Sequence, residues 1–139
     1  MSAYKVIKTS FKSLTSLLAA LKEMGYTDEQ LEVAADHKVN GLTLFGYHND
    51  ARPEKAVVCI PRKYVGHVSN DIGFMWDGQA YQAIVSDYDQ SATFTAKKMN
   101  QLKQLYAIQE VRRQARSKGY NLRENRMSDG TVRLTLERR

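Results

Sequence analysis

The segment from Ile72 to Val85 constrains the fold more than any other. Ile72, Phe74 and Trp76 share one side of a strand at period two, and Tyr81, Ala83 and Val85 repeat that alternation after Asp77 and Gly78. Asp-Gly between two alternating runs predicts a hairpin, because a type I′ turn needs positive φ angles that this pair tolerates. A hairpin with an apolar face has to be covered, so a sheet with a packed layer is required. Gly73, in mid-strand, marks a bulge or a place where another backbone or a ligand comes close.

Other segments supply the rest of the architecture. Residues 4–9, YKVIKT, read as a strand with one wet face. A helix follows, capped by Ser10 or Ser13, with Leu14, Leu17, Leu18, Leu21 and Met24 on one stripe and Gly25 at its left-handed end. Residues 30–35 and 42–47 predict a second hairpin, turning at Asn40 and Gly41. Residues 49–53 are turn chemistry, 55–60 form a strand covered on both faces, Pro61 ends it, and 62–70 read as a loop. A long helix capped by Ser91 or Thr93 runs to about Lys118, with Asp87 and Asp89 ahead of its positive end. Met99, Leu102, Leu105, Tyr106, Ile108, Val111 and Ala115 form its apolar stripe, and Gly119 closes it. Residues 120–127 and 131–137 make a last hairpin around Gly130. Hairpins separated by two helices predict an α+β fold, a single domain over residues 1–139, with an antiparallel sheet and both helices mainly on one face. A faint echo of helix, Gly-Tyr, strand and glycine turn at Gly25 and again at Gly119 suggests duplication.

No run approaches the length of apolar sequence that spans a membrane, and residues 1–10 lack the apolar core of a secretory signal. The expected setting is cytoplasmic, or plastid stroma for an algal source. Cys59 stands alone in an apolar run, where burial suppresses a thiol's reactivity. His37, His48 and His67 have no metal-ligand spacing, no glycine-rich phosphate loop occurs, and no cofactor is indicated.

Charge is the strongest remaining signal. Residues 92–139 hold twelve cations against four acids, a balance of +8, while the other 91 residues carry nine cations and eleven acids, a balance of −2. Lys97, Lys98, Lys103, Arg112, Arg113, Arg116 and Lys118 lie on the long helix, and such a face suits an acidic protein or a nucleic acid. Aromatic residues for base stacking are sparse there, Tyr106 and Tyr120 being the nearest. Asp71, Asp77, Asp87 and Asp89 are the acids that would make the central hairpin catalytic, but Asp77 is consumed by its turn and Asp87 and Asp89 serve a helix start.

Several local motifs resemble a known family. Asp71-Ile72-Gly73-Phe74, Asp77-Gly78, Tyr81, Leu105-Tyr106-Ala107, Gly119-Tyr120 and Asp129-Gly130-Thr131-Val132-Arg133-Leu134 are similar to the uncharacterised proteins called hypothetical chloroplast reading frame thirty-five, with cyanobacterial, plastid, bacterial and phage members. Ile7-Lys8-Thr9 and Leu21-Lys22-Glu23-Met24-Gly25-Tyr26 extend the likeness toward the N-terminus. Ala3 and Gln109 depart from it, standing where relatives carry histidines. The resemblance implies no defined reaction. It implies that Asp71, Gly73, Phe74, Gly78, Tyr81 and Gly130 form a family motif, read here as structural. Relatives lie near genes for ATPases of the AAA+ class, which implies an accessory role. The expectation is a non-enzymatic adaptor that docks on a larger protein, such as an AAA+ ATPase, through a basic helix face or an exposed sheet edge. The alternatives are a nucleic-acid-binding module and a small enzyme built on the Asp71 to Asp89 hairpin.

Overall fold

The computed structural model describes residues 2–138; Arg139, one of the twelve C-terminal cations, lies outside the described residues. In chain order the elements are β1 (Tyr4–Ile7), α1 (Leu14–Glu23), β2 (Glu32–Val33), β3 (Leu42–Phe45), β4 (Ala51–Ala56) and β5 (Val58–Ile60). There follow β6 (Ile72–Trp76), β7 (Tyr81–Ser86), α2 (Asp87–Ala92), α3 (Ala96–Ser117), β8 (Tyr120–Arg126) and β9 (Val132–Arg138). Five strands form an antiparallel sheet in the order β1-β7-β6-β5-β2, and β3–β4 and β8–β9 make two separate two-stranded sheets. The class is α+β.

Helices α1 and α3 cover one face of the large sheet. There Phe11, Leu17, Leu21, Ile72, Phe74 and Leu102 build the main core. The β3–β4 ribbon covers the opposite face, where Leu44 and Ala56 meet Cys59 and Ile84. Gly73 is what lets this ribbon approach: a Cβ there would stand 2.8 Å from Leu44 Cδ1 and 3.0 Å from the Ala56 Cβ. Removal of one methyl group from β6 therefore makes room for a second layer.

The central hairpin forms with Phe74 opposite Ala83 and Trp76 opposite Tyr81. Its turn differs by one residue from the expected one. Asp77 N–H donates to the Ala80 carbonyl (3.1 Å), which makes Gly78 and Gln79 the turn residues, and only Gly78 has positive φ. Asp77 supports the turn through its side chain, Oδ1 accepting from the N–H groups of Gln79 and Ala80, both at 2.8 Å.

The expected hairpin over residues 30–47 does not form. β2 pairs with β5 and β3 pairs with β4, so the pairing partners are exchanged. The intervening segment wraps the tip of the central hairpin instead. Asn40 is not a turn residue but a side-chain substitute for a strand: Oδ1 accepts from Trp76 N–H (2.8 Å) and Nδ2 donates to the Trp76 carbonyl (2.9 Å). Tyr81 Oη fastens the same segment by donating to the His37 carbonyl at 2.7 Å. This arrangement also removes the structural basis for the suggested duplication, since only the C-terminal helix is followed by a hairpin of its own neighbouring strands. Pro53, expected in a turn, sits within β4, whose ribbon has a free edge that tolerates a missing donor.

Ser13 caps α1 as expected, accepting from Ser16 N–H at 3.2 Å. The anticipated single helix from residue 91 is divided. Ser86 caps α2 and Thr95 caps α3, in place of Ser91 and Thr93. The break places Phe94 in the main core and leaves Thr93 as the C-cap of α2.

Candidate partner-binding surface

Helix α3 buries two different faces along its length. Met99, Leu102 and Tyr106 enter the main core beside α1. Ile108 and Ala115 are also buried but do not belong to that cluster. At about 100° per residue they lie well around the helix from Tyr106. The single stripe read from the sequence is therefore two stripes, one for the main core and one on the far side of the helix, where Ala115 adjoins β8, the strand of the β8–β9 hairpin that packs beside the C-terminal half of α3. That half and its hairpin form an arm.

The seven helix cations do not make one face. Lys98, Arg112 and Arg116 fall within about 40° of one another, whereas Lys97, Lys103 and Arg113 stand on three other sides. Several are also engaged. Lys98 Nζ lies 5.9 Å from the ring centres of both Tyr26 and Phe94. Arg112 reaches Glu23 of α1 with Nη1 (2.5 Å), and Glu124 of β8 with Nε and Nη2 (2.6 Å each). Arg113 pairs with Glu110 at 2.7 Å. On the hairpin, Arg123 pairs with Glu137. These contacts leave Arg116, Lys118, Arg126, Arg133 and Arg138 exposed on the arm with no acid in ion-pair distance among the described residues. Leu136, on β9, adds an apolar patch at 51% exposure.

Arg112 acts as a clip between three elements, and the Glu124 carboxyl is held below the ordinary range by its bonds to that guanidinium. Burial pushes Glu110 upward, but bonds from Arg113 and Tyr106 outweigh it and its acidity increases. Tyr106 Oη also accepts the N–H groups of Lys12 and Ser13 (2.9 and 3.0 Å), so one phenol ties the entry of α1 to α3.

The acids of the central segment have other work. Asp71 is 4% exposed; Oδ1 accepts from Arg62 N–H (2.7 Å), Oδ2 from Phe45 N–H (2.8 Å), and its carbonyl receives the Tyr4 hydroxyl at 2.7 Å. It joins β1, β3 and the turn after β5. Asp89 is wholly buried, with Oδ2 accepting from Asn70 N–H (2.9 Å) and Ser86 Oγ (2.8 Å) and Oδ1 accepting from Thr93 Oγ1 (2.5 Å). Burial raises its pKa, and these bonds, together with the nearby Ser69 hydroxyl, more than offset that and lower it. Ser69 Oγ itself closes no hydrogen bond of good geometry. Asp87 is exposed at the start of α2, outside both networks, and the three histidines are exposed. Among the described residues no group of His, Cys, Asp and Glu could hold a metal ion, and no helix is long and apolar enough to cross a membrane.

The remaining motif residues are positioned for folding. Phe74 fills the core, Tyr81 is buried with its hydroxyl on His37, and Gly78 and Gly130 adopt φ of 100° and 90° in their turns. Sequence reasoning missed Asn40, Asn70 and Ser86. The adjacent Asn70 and Asp71 between two apolar strands were the available signal, being polar residues where the chain enters the core.

The profile of a family described as protein of unknown function (DUF1257) matches residues 20–135. No curated protein and no solved structure matches the chain.

Proposed function

From its membership of the DUF1257 family of proteins of unknown function, to which this chain belongs, and from its own residues, we propose that the protein is a non-enzymatic accessory factor that docks on a larger protein through its cationic arm. The observation that carries this reading is the set of five exposed arm cations, Arg116, Lys118, Arg126, Arg133 and Arg138, that have no acidic partner among the described residues. Such charges steer and orient an acidic partner more than they stabilise the chain itself. The resemblance to proteins found beside AAA+ ATPases supports an ATPase of that class as the partner. Both buried carboxylates are occupied by donors within the protein, which supports a binding role over catalysis.

The test is a pull-down from the native cell with the full chain and with the Arg116→Glu, Arg126→Glu, Arg133→Glu variant. Recovery of an ATPase by the native chain, and its loss with the variant, is the expected result; an ATPase retained by the variant, or none recovered at all, would overturn the reading. Arg112 is unsuited to this test because it holds the arm in place. A nucleic-acid role draws on the same cations through phosphate contacts, and it requires binding of generic DNA that falls steeply with added salt.

A further inference from the structure

β1 is an edge strand with a free side. Asp87 N–H donates to the Ala3 carbonyl at 2.8 Å, and the register pairs Lys5 with Val85 and Ile7 with Ala83. In an antiparallel ladder these odd-numbered residues bond to β7, so the N–H and C=O groups of Tyr4, Val6 and Lys8 turn outward. None of those outward groups meets a protein partner among the described residues.

The free side runs beside α3, and two hollows lie between them. One, of about 250 Å³, is lined by Ile7, Phe94, Met99 and Lys103. The other, of about 590 Å³, is lined by Lys8, Phe11, Lys103, Tyr106 and Glu110. Both share Lys103, so they are adjoining parts of a groove along α3. Its floor is apolar, the rings of Phe11 and Tyr106 standing 4.7 Å apart. Its border is cationic: Lys8 and Lys103 line it, Lys5 lies on β1 three residues before Lys8, and none of the three has an acidic partner among the described residues, while Glu110 is occupied by Arg113 and Tyr106.

We propose that this groove binds an extended, acidic protein segment, which adds as a strand to the free side of β1 and sends alternate side chains between β1 and α3. Main-chain bonds to Tyr4, Val6 and Lys8 supply the docking, and Lys5, Lys8 and Lys103 select for carboxylates. A second copy of β1 is a poor occupant, since it would bring its own Lys5 and Lys8 and no carboxylate to a lysine-bordered groove. The site is separate from the arm, so it stands or falls apart from the docking role assigned there.

The experiment selects phage-displayed random nine-residue peptides on the immobilised full chain. Acid-rich sequences with alternating apolar residues are expected, and an enriched synthetic peptide should slow hydrogen exchange at the Val6 and Lys8 amides. Val6→Pro removes an outward donor without touching the β7 ladder, and Lys103→Glu reverses the border charge. Each should weaken that peptide about tenfold, the scale of one charge-assisted or main-chain hydrogen bond. Enrichment with no acidic bias, unchanged exchange at those amides, either folded variant binding like the native chain, or displacement of the peptide by single-stranded DNA would overturn the assignment. The exchange measurement is made on the native chain, so the result stands even where a variant does not fold.

Discussion

Arg112 presents Nε and Nη2 to the two carboxylate oxygens of Glu124, each at 2.6 Å, while its remaining Nη1 holds Glu23. A planar fork matched to a carboxylate is the geometry in which arginine is worth most, and lysine cannot reproduce it. These side chains are about one third exposed, so solvent screening keeps the energy modest. Arg112→Leu is expected to cost about 1 kcal/mol and, more tellingly, to speed hydrogen exchange in β8 and β9 while leaving β6 and β7 unchanged. Uniform acceleration across the chain would contradict this.

Gly73 and Leu44 predict a coupled pair. Gly73→Ala drives a methyl group into Leu44 and Ala56 and should cost about 2 kcal/mol. Leu44→Ala alone empties part of the second core and should cost about 3 kcal/mol. Together they should cost less than the sum by about 1 kcal/mol, measured by urea unfolding of all four chains.

Asp89 sets an acid limb. Its folded pKa lies below the ordinary 3.8, so its contribution is complete above that pH and is lost as pH falls through the folded value. Asp89→Asn should be roughly 2 to 3 kcal/mol less stable at neutral pH, because several buried donors lose a charged acceptor. The deficit should shrink below pH 3.8 as the native carboxyl takes up its proton. A deficit constant from pH 7 to pH 2.5 would show that Asp89 is not held as a carboxylate.

Cys59 should be inert in the folded chain. Burial raises its thiol pKa far beyond the usual value, with the Asp71 charge adding to the shift. Alkylation by iodoacetamide is expected to be at least about 10³-fold slower than in urea, since it waits for opening of the sheet. Labelling at a rate close to that of the unfolded chain would refute the burial.

Elements with strict periodicity were readable in advance: β6 and β7 from their alternation, α1 from its leucines and Gly25, β8 and β9 from the turn at Gly130. What escaped depended on distant partners. Nothing local distinguishes Asn40 as a turn residue from Asn40 as a clamp on Trp76, because the clamp exists only once residues 36 positions apart meet. The helix start was misplaced because Ser86, Ser91, Thr93 and Thr95 are all competent caps, and only the burial of Phe94 and Asp89 selects among them. The number of cations is legible in the sequence, but a count does not reveal that Arg112 and Arg113 pair with acids of the same molecule or that the others scatter around the helix.

One rod of 22 residues, α3, serves as the wall of the β1 groove with its first half and as the spine of the arm with its second. Tyr106 and Arg112 are less than two turns apart on it. A cargo wedged against the wall and a machine gripping the spine would therefore pull on the same axle, and a tilt imposed at either end is felt at the other.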